Sequence, residues 1–400
     1  MTIGIKYIAY GNSSGYGLAA IAYARALHNA GVRVWWQPWF LGAQPTMWRP
    51  EAGLSNLPLA RAAEGDAALV DLPALIKAIS RPIDYDTVLV HTVPEHWPRF
   101  IEAGKRTVGY TVWEADALPA HWPKLLNVMD ALCVPSRMNA EMFARDGINR
   151  PLHVVPHIRR HAWSASARDD AIALRLRLRI PDDHFVFYSI GAWDPRKAMD
   201  DLLATYLSTF GSRDRVTLLL KTSATVSSAA DTRAGMPTEG AVRDIVRAAQ
   251  ADAGRGPANL AVIAADDISG RTIDAIHALG DCFVSLTHGE GWGIASFDAA
   301  AAGKPVLITG WGGQLEYLGS DYPGLIDYQL SAVAGWLPHA SYQPTQRWAA
   351  ADRGHAAQQM RAAAARAPRL LEAATLARET IANRYAEPAV ARALLAALRG

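Results

Sequence analysis

Cysteine is nearly absent. The 400 residues hold two, Cys133 and Cys282, far apart and each inside an apolar run. That excludes a disulfide framework and a cysteine-built metal cluster, and it points to two buried thiols in a reducing cytosol. An excess of charge is missing too: 40 Lys and Arg stand against 38 Asp and Glu, a formal net charge of +2. A protein that grips nucleic acid over its whole surface shows a strong basic excess, so that class is set aside, while a local basic pocket stays open. No run of about 18 apolar residues is present, so no transmembrane helix is expected. The apolar part of Met1 to Gly11 is too short for a signal peptide. No tandem repeat is found, which removes the solenoids. The expected location is cytoplasmic. Peripheral contact with the inner membrane face is left open, since no strongly basic amphipathic helix demands it.

What remains is a chain rich in core material, 50% hydrophobic and 20% charged. Its length fits two domains. Short β-rich runs alternate with Ala/Leu-rich helical stretches, the rhythm of parallel sheets covered on both faces. Strands are expected at Ile3–Ala9, Val32–Trp36, Thr87–His91, Arg106–Thr111, Ala131–Val134 and Leu152–Val155. A second series runs Phe185–Ile190, Val216–Lys221, Leu260–Ala264, Cys282–Leu286 and Pro305–Thr309. Helices are expected at Leu18–Ala30, Arg137–Arg145, Asp200–Phe210, Glu239–Ala253 and Ile273–Leu279. The Ala-rich run Ala356–Leu398 is read as helical with a break near Arg384–Pro388. The polar, Arg-rich stretch His157–Asp183 reads as a hinge. The fold class is α/β, two doubly wound domains at 1–158 and 184–385.

Ligands of open α/β sheets bind beyond the carboxyl ends of the strands, so the segments there matter most. The first is Gly11 to Gly17, where Gly15 and Gly17 allow close backbone approach around Tyr16. It only half fits a dinucleotide fingerprint: Ala20 is tolerated, but Gln37 follows the second strand where an acidic residue is needed. A plain tight turn is the structural alternative. The second segment, Gly191 to Lys197, puts Arg196 and Lys197 at a strand end, and Lys221 closes the next strand. Three cations from two strand ends suit a diphosphate. The third runs from Thr287 to Asp298. Its glycine loop leads into a helix, and Glu290 and Asp298 stand eight residues apart, so both carboxylates can face one ligand.

That third block, with Gly291-Trp292-Gly293, Ala299 to Gly303 and Pro305-Val306, resembles the E-x7-E region of retaining GT-B glycosyltransferases, in particular glycosyltransferase family 4. Trp311 to Leu318 is similar to the family's donor-side loop. In order along the chain, Gly15-Tyr16-Gly17, Thr111 to Glu114 with Leu118-Pro119, Val134-Pro135-Ser136, Val154 to His157 and Arg196-Lys197 also match, and Trp348 to Arg361 resembles its late helical segment. The resemblance implies two Rossmann-like domains facing across a cleft, with a last helix, about 386–400, packed back on the first. The first domain would hold the acceptor, the second the nucleoside diphosphate sugar.

Carried over by position, Glu290 would hold hydroxyls of the donor sugar. Backbone N–H groups of Gly291, Trp292, Gly293 and Ile294 would meet sugar or phosphate, and Asp298 the ribose. Arg196 and Lys197 would stabilise the leaving diphosphate, helped by Lys221. Gly15 to Gly17 would close over it. The implied activity is a metal-independent, retaining hexosyl transfer, from a GDP-mannose or UDP-glucose type donor to a hydroxyl on a glycan, a lipid-linked glycan or a protein. No cofactor is expected. The departures are Asp298 for Glu, Ala192 for a first Arg, Ala198 for Gly and Trp113 for the His of a His-Glu pair. They keep Trp113 and Glu114 as acceptor-side residues, with His91 as another polar group on that side. They also leave two alternatives: a catalytically silent sugar-nucleotide-binding subunit and a nucleotide-sugar epimerase. The 13 tryptophans cluster near these loops, either as platforms for sugars or as interdomain packing.

Overall fold

The computed structural model describes residues 3–40, 46–62, 66–160, 163–227, 233–253, 258–266, 268–334 and 341–400. Its first sheet contains β1 (Gly4–Tyr10), β2 (Arg33–Phe40), β3 (Thr46–Met47), β4 (Thr87–His91), β5 (Arg106–Tyr110), β6 (Ala131–Val134) and β7 (Leu152–Val154). Their order is β3-β2-β1-β4-β5-β6-β7, parallel except for β3. The second sheet contains β8 (Phe185–Ile190), β9 (Val216–Thr222), β10 (Asn259–Ala264), β11 (Cys282–Ser285), β12 (Val306–Thr309) and β13 (Leu325–Ile326). It is fully parallel, in the order β10-β9-β8-β11-β12-β13. A separate antiparallel hairpin pairs β14 (Tyr328–Ala332) with β15 (Arg347–Ala351).

The central strands are buried on both faces, as β4 shows with Thr-Val-Leu-Val-His wholly buried, so their sequences read as apolar runs rather than alternations. Between strands, small and leucine-like residues make helices with defined starts. Ser136 caps the helix Arg137–Arg145 through the Asn139 N–H. Ser14 does the same for the helix Gly15–Asn29. That helix therefore begins at Gly15 rather than Leu18, and the Gly15-Tyr16-Gly17 motif is its first turn instead of a free loop. Gly17 is required by packing: a Cβ there would lie 1.9 Å from the Asn12 carbonyl oxygen.

Three other expectations change. The stretch read as a hinge contains the helix Ala167–Arg177, whose Ala171 and Leu174 are buried against the second domain. Trp348 lies on β15, not in a helix. The Ala-rich tail is three helices, Arg353–Ala364, Pro368–Arg384 and Glu387–Arg399. The extra break falls where Arg366 adopts a left-handed φ of 54° ahead of Pro368. The last helix lies on the first domain, where Val390, Leu394, Ala397 and Leu398 share one core with Ile5, Tyr7, Ala20 and Leu27. Both cysteines are free and buried. Among the described residues no helix is long and apolar enough to cross a membrane.

Candidate active site

Two neighbouring strand ends build one side of the site. After β8, Asp194 caps a single 3-10 turn, Pro195–Lys197, by accepting from the Lys197 N–H at 2.9 Å. This turn is tied to the loop after β11, because the Arg196 carbonyl accepts from His288 N at 2.7 Å and from Thr287 Oγ1 at 3.1 Å. The two loops thus hold Arg196, Lys197 and Glu290 together. Lys197 Nζ lies 2.5 Å from Glu290 Oε1, and Arg196 Nη1 lies 3.3 Å from Glu290 Oε2 while donating to the Gly289 carbonyl at 2.7 Å. Burial pushes the Glu290 carboxyl up, but the Lys197 ammonium and Arg196 guanidinium outweigh it and hold the group below its ordinary range. Glu290 is therefore a fixed carboxylate.

The other side comes from the segment after β5. The glycine loop lies so close to it that side chains are impossible there. A Cβ on Gly289 would sit 2.0 Å from the Glu114 carbonyl oxygen, and one on Gly291 would sit 1.5 Å from Val112 Cγ2. Glu114 itself faces Arg196 and Glu290 electrostatically, and burial raises its carboxyl above the usual value. Its Oε2 accepts from Tyr342 Oη at 3.0 Å, and the Tyr342 ring stacks on Trp113 at 4.7 Å. So Glu114, Trp113, Arg196, Lys197 and Glu290 do converge.

Two helix N-termini also meet here. Gly293, left-handed with φ 84°, starts the helix Ile294–Ala301, and Ile294 Cδ1 is 3.3 Å from where a Gly15 Cβ would lie. The N-termini of both helices thus border one gap, next to the loop that carries Glu290. Such a gap favours an anion. The Trp292 side chain turns away into the core against Phe297, Tyr317 and Tyr385. Tyr16 bonds Thr111 Oγ1 at 3.0 Å.

Asp298 lines an adjoining cavity with His157, Arg160, Asp66 and Ile294. Burial raises its carboxyl to about 7, opposed by Arg160 and reinforced by Asp274 and Asp66. Arg160 joins the domains there, 2.6 Å from Asp66 and 2.7 Å from Asp274. Lys221 stands on β9 at the register position of Ile190. The cations within reach of Glu290 among the described residues are Arg196 and Lys197. His91 is not brought to the cluster. It is 1% exposed, bonded through Nδ1 to Tyr7 Oη at 2.9 Å and packed behind Tyr16.

No protein-family model matches the sequence, and no curated protein does. Solved structures do match over the whole chain. Sucrose-phosphate synthase from Thermosynechococcus elongatus superposes with a TM-score of 0.65 at 15% identity, covering 99% of this chain and 98% of that one. Anabaena HepE, in complex with UDP and glucose, gives 0.62 at 15% identity, covering 99% of both chains. Trehalose-6-phosphate synthase from E. coli, bound with UDP-2-fluoro glucose, gives 0.61 at 12% identity, again covering 99% of both. With two parallel sheets facing across a loop-built cleft, the architecture is decided. This is the GT-B fold. In the GT-B cleft of this chain, sequence reading missed Tyr342, Ser341, Glu95 and Arg160. Each reaches the cleft region from a segment with no motif of its own.

Proposed function

We propose that the chain is a retaining glycosyltransferase that moves a hexose from a nucleoside diphosphate sugar to an acceptor hydroxyl. The observation that carries this reading is the Lys197–Glu290–Arg196 cluster beside two helix N-termini, an anion site and a hydroxyl-binding carboxylate in one cleft. The UDP and UDP-sugar complexes of HepE and of trehalose-6-phosphate synthase support a uridine nucleotide as the first donor to try.

In this reading the diphosphate lies in the gap between the helices Gly15–Asn29 and Ile294–Ala301. Arg196 and Lys197 take up the negative charge that grows on the leaving phosphate, so the residues themselves supply what a metal would otherwise supply. Glu290 accepts bonds from donor-sugar hydroxyls, and Asp298 from the ribose. The acceptor oxygen attacks the anomeric carbon on the face the diphosphate leaves. Its proton passes to the departing phosphate oxygen as the glycosidic bond breaks. Glu114, beside Arg196, lies on the acceptor side.

Lys197→Ala tests this. Turnover should fall by roughly 10²-fold or more while the melting temperature stays near that of the wild type. A thermal-shift panel of UDP, GDP and their sugars names the donor, because stabilisation follows affinity by mass action. An unchanged rate in Lys197→Ala, or no shift with any nucleotide, overturns the reading.

A further inference from the structure

The crevice of a doubly wound sheet lies where the strand order reverses, and in the first sheet that is between β1 and β4. Tyr10 ends β1, and Glu95 stands on the 3-10 helix Pro94–Phe100 that follows β4. Glu95 is held from several directions. Its Oε1 accepts from Trp122 Nε1 at 2.8 Å and from Ser341 Oγ at 2.8 Å, and it lies 2.9 Å from His121 Nε2. Its Oε2 is buried and accepts nothing, although the side chain as a whole keeps 28% of its surface open. The Tyr10 hydroxyl, close to Val93 and Glu95, also makes no bond of good geometry. Buried polar atoms are normally paired, so an unpaired carboxylate oxygen on a side chain that keeps part of its surface open, at a strand-end crevice, points to a partner from outside the chain.

The crevice and the neighbouring end of β5 are gripped from the second domain by two consecutive residues. Ser341 bonds Glu95, and Tyr342 bonds Glu114. Two carboxylates of the first domain are thus locked at a set separation by one dipeptide of the second. Among the described residues the basic groups nearby are committed or outlying, and His121 is already on Glu95. Arg347 pairs with Asp116 at 2.9 Å, Arg196 and Lys197 hold Glu290, and Arg99 is exposed and lies over Trp39.

We propose that Tyr10, Glu95, Glu114 and the Ser341-Tyr342 pair form the acceptor subsite, and that it takes an uncharged sugar end rather than a phosphorylated one. The inference rests on the glycosyl-transfer reading above. Carboxylates accept hydroxyl hydrogen bonds readily. A phosphate dianion beside Glu95 and Glu114 would meet two carboxyl groups, with no cation assigned to it among the described residues.

The test uses sugars that differ only by a phosphate, glucose against glucose 6-phosphate and mannose against mannose 6-phosphate. Their binding to UDP-saturated protein is followed by saturation-transfer NMR. The free sugar of at least one pair should bind roughly ten-fold more tightly than its phosphate, a difference of 1.4 kcal/mol. Glu95→Gln should abolish that binding and Tyr342→Phe, which keeps the ring on Trp113, should weaken it. Both variants should keep the wild-type affinity for UDP, which also shows that they fold. Equal or preferred binding of the phosphates, no binding of either free sugar, or unchanged binding in Glu95→Gln overturns the subsite while UDP is still bound. Failure of the wild type to bind UDP or GDP instead overturns the transfer reading, and the subsite falls with it.

Discussion

Asp298 sets a conflict between stability and ligand binding at the scale of a single carboxyl. Burial holds it at about 7 in the folded chain, whereas an unfolded chain releases that proton near ~4. Between these values the folded state keeps a proton that the unfolded state has lost. Asp298 therefore contributes stability below about pH 4 that is lost as pH rises to about 7, and the curve is flat above. Asp298→Asn cannot ionise. Its melting temperature should match the wild type at low pH and exceed it above about 7, while its affinity for UDP falls. Scanning calorimetry across that range checks the first part and isothermal titration the second. Parallel curves for the two proteins at every pH would show that Asp298 does not carry the titration. Glu290 has the opposite sign, since its cations hold it low. Its contribution is present above the ordinary carboxylate value and is lost on acidification.

Loops and hairpins decide how close the two domains come. The glycine loop meets the segment after β5 with no room for a methyl group, so Gly291→Ala must part the surfaces or distort the loop. The expected outcome is a loss of turnover by roughly ten-fold or more, because reacting groups misplaced by an ångström are poorly aligned. UDP affinity should fall by less than turnover does, since Arg196 and Lys197 stay on their own domain while the helix Gly15–Asn29 moves away from the gap. Small-angle scattering should record a larger radius of gyration in the variant with UDP bound. Wild-type turnover in Gly291→Ala would show that the closed contact is not needed.

Most elements of the sheets were legible in the sequence, and so was the Glu290 loop, because period and glycine placement are local signals. β4, β6 and β8 fall where their apolar runs lie. The helix Ala167–Arg177 was not legible. It buries little more than Ala171 and Leu174 and exposes Ile172 and Leu176 among arginines, so no apolar stripe marks it. The hairpin β14–β15 was hidden for a different reason. Its partner contacts, Tyr342 with Glu114 and Arg347 with Asp116, join residues more than two hundred positions apart. Periodicity cannot see such pairs. The tryptophans had two readings, and packing accounts for most of them: nine are buried, Trp97 and Trp122 among them, and Trp336 lies outside the described residues.

For the molecule as a whole, the tail is a structural part of the first domain. Leu394 is fully buried between the helix Gly15–Asn29 and the strands beneath it. Leu394→Ala should lower stability by about 2–5 kcal/mol, the usual cost of a large-to-small change in a core. Urea unfolding followed by circular dichroism checks it. A loss well under 1 kcal/mol would mean that the last helix is docked only loosely. Because that helix follows residues packed on the second domain, it also ties the domains together by chain connectivity, a further join beside those made by Arg160, Tyr342 and Arg347.

The ring of Trp292 has a further consequence. It belongs to the second domain's glycine loop, yet its centre lies 5.5 Å from that of the ring of His157, which follows the last strand of the first sheet. Burial keeps that imidazole uncharged, pushed down to about 3. Indole emission responds to nearby polar rings and to water. Any motion that separates the domains exchanges the imidazole for solvent around Trp292. The protein thus carries an optical gauge of its own opening, read without a label as the part of the emission change that Trp292→Phe removes.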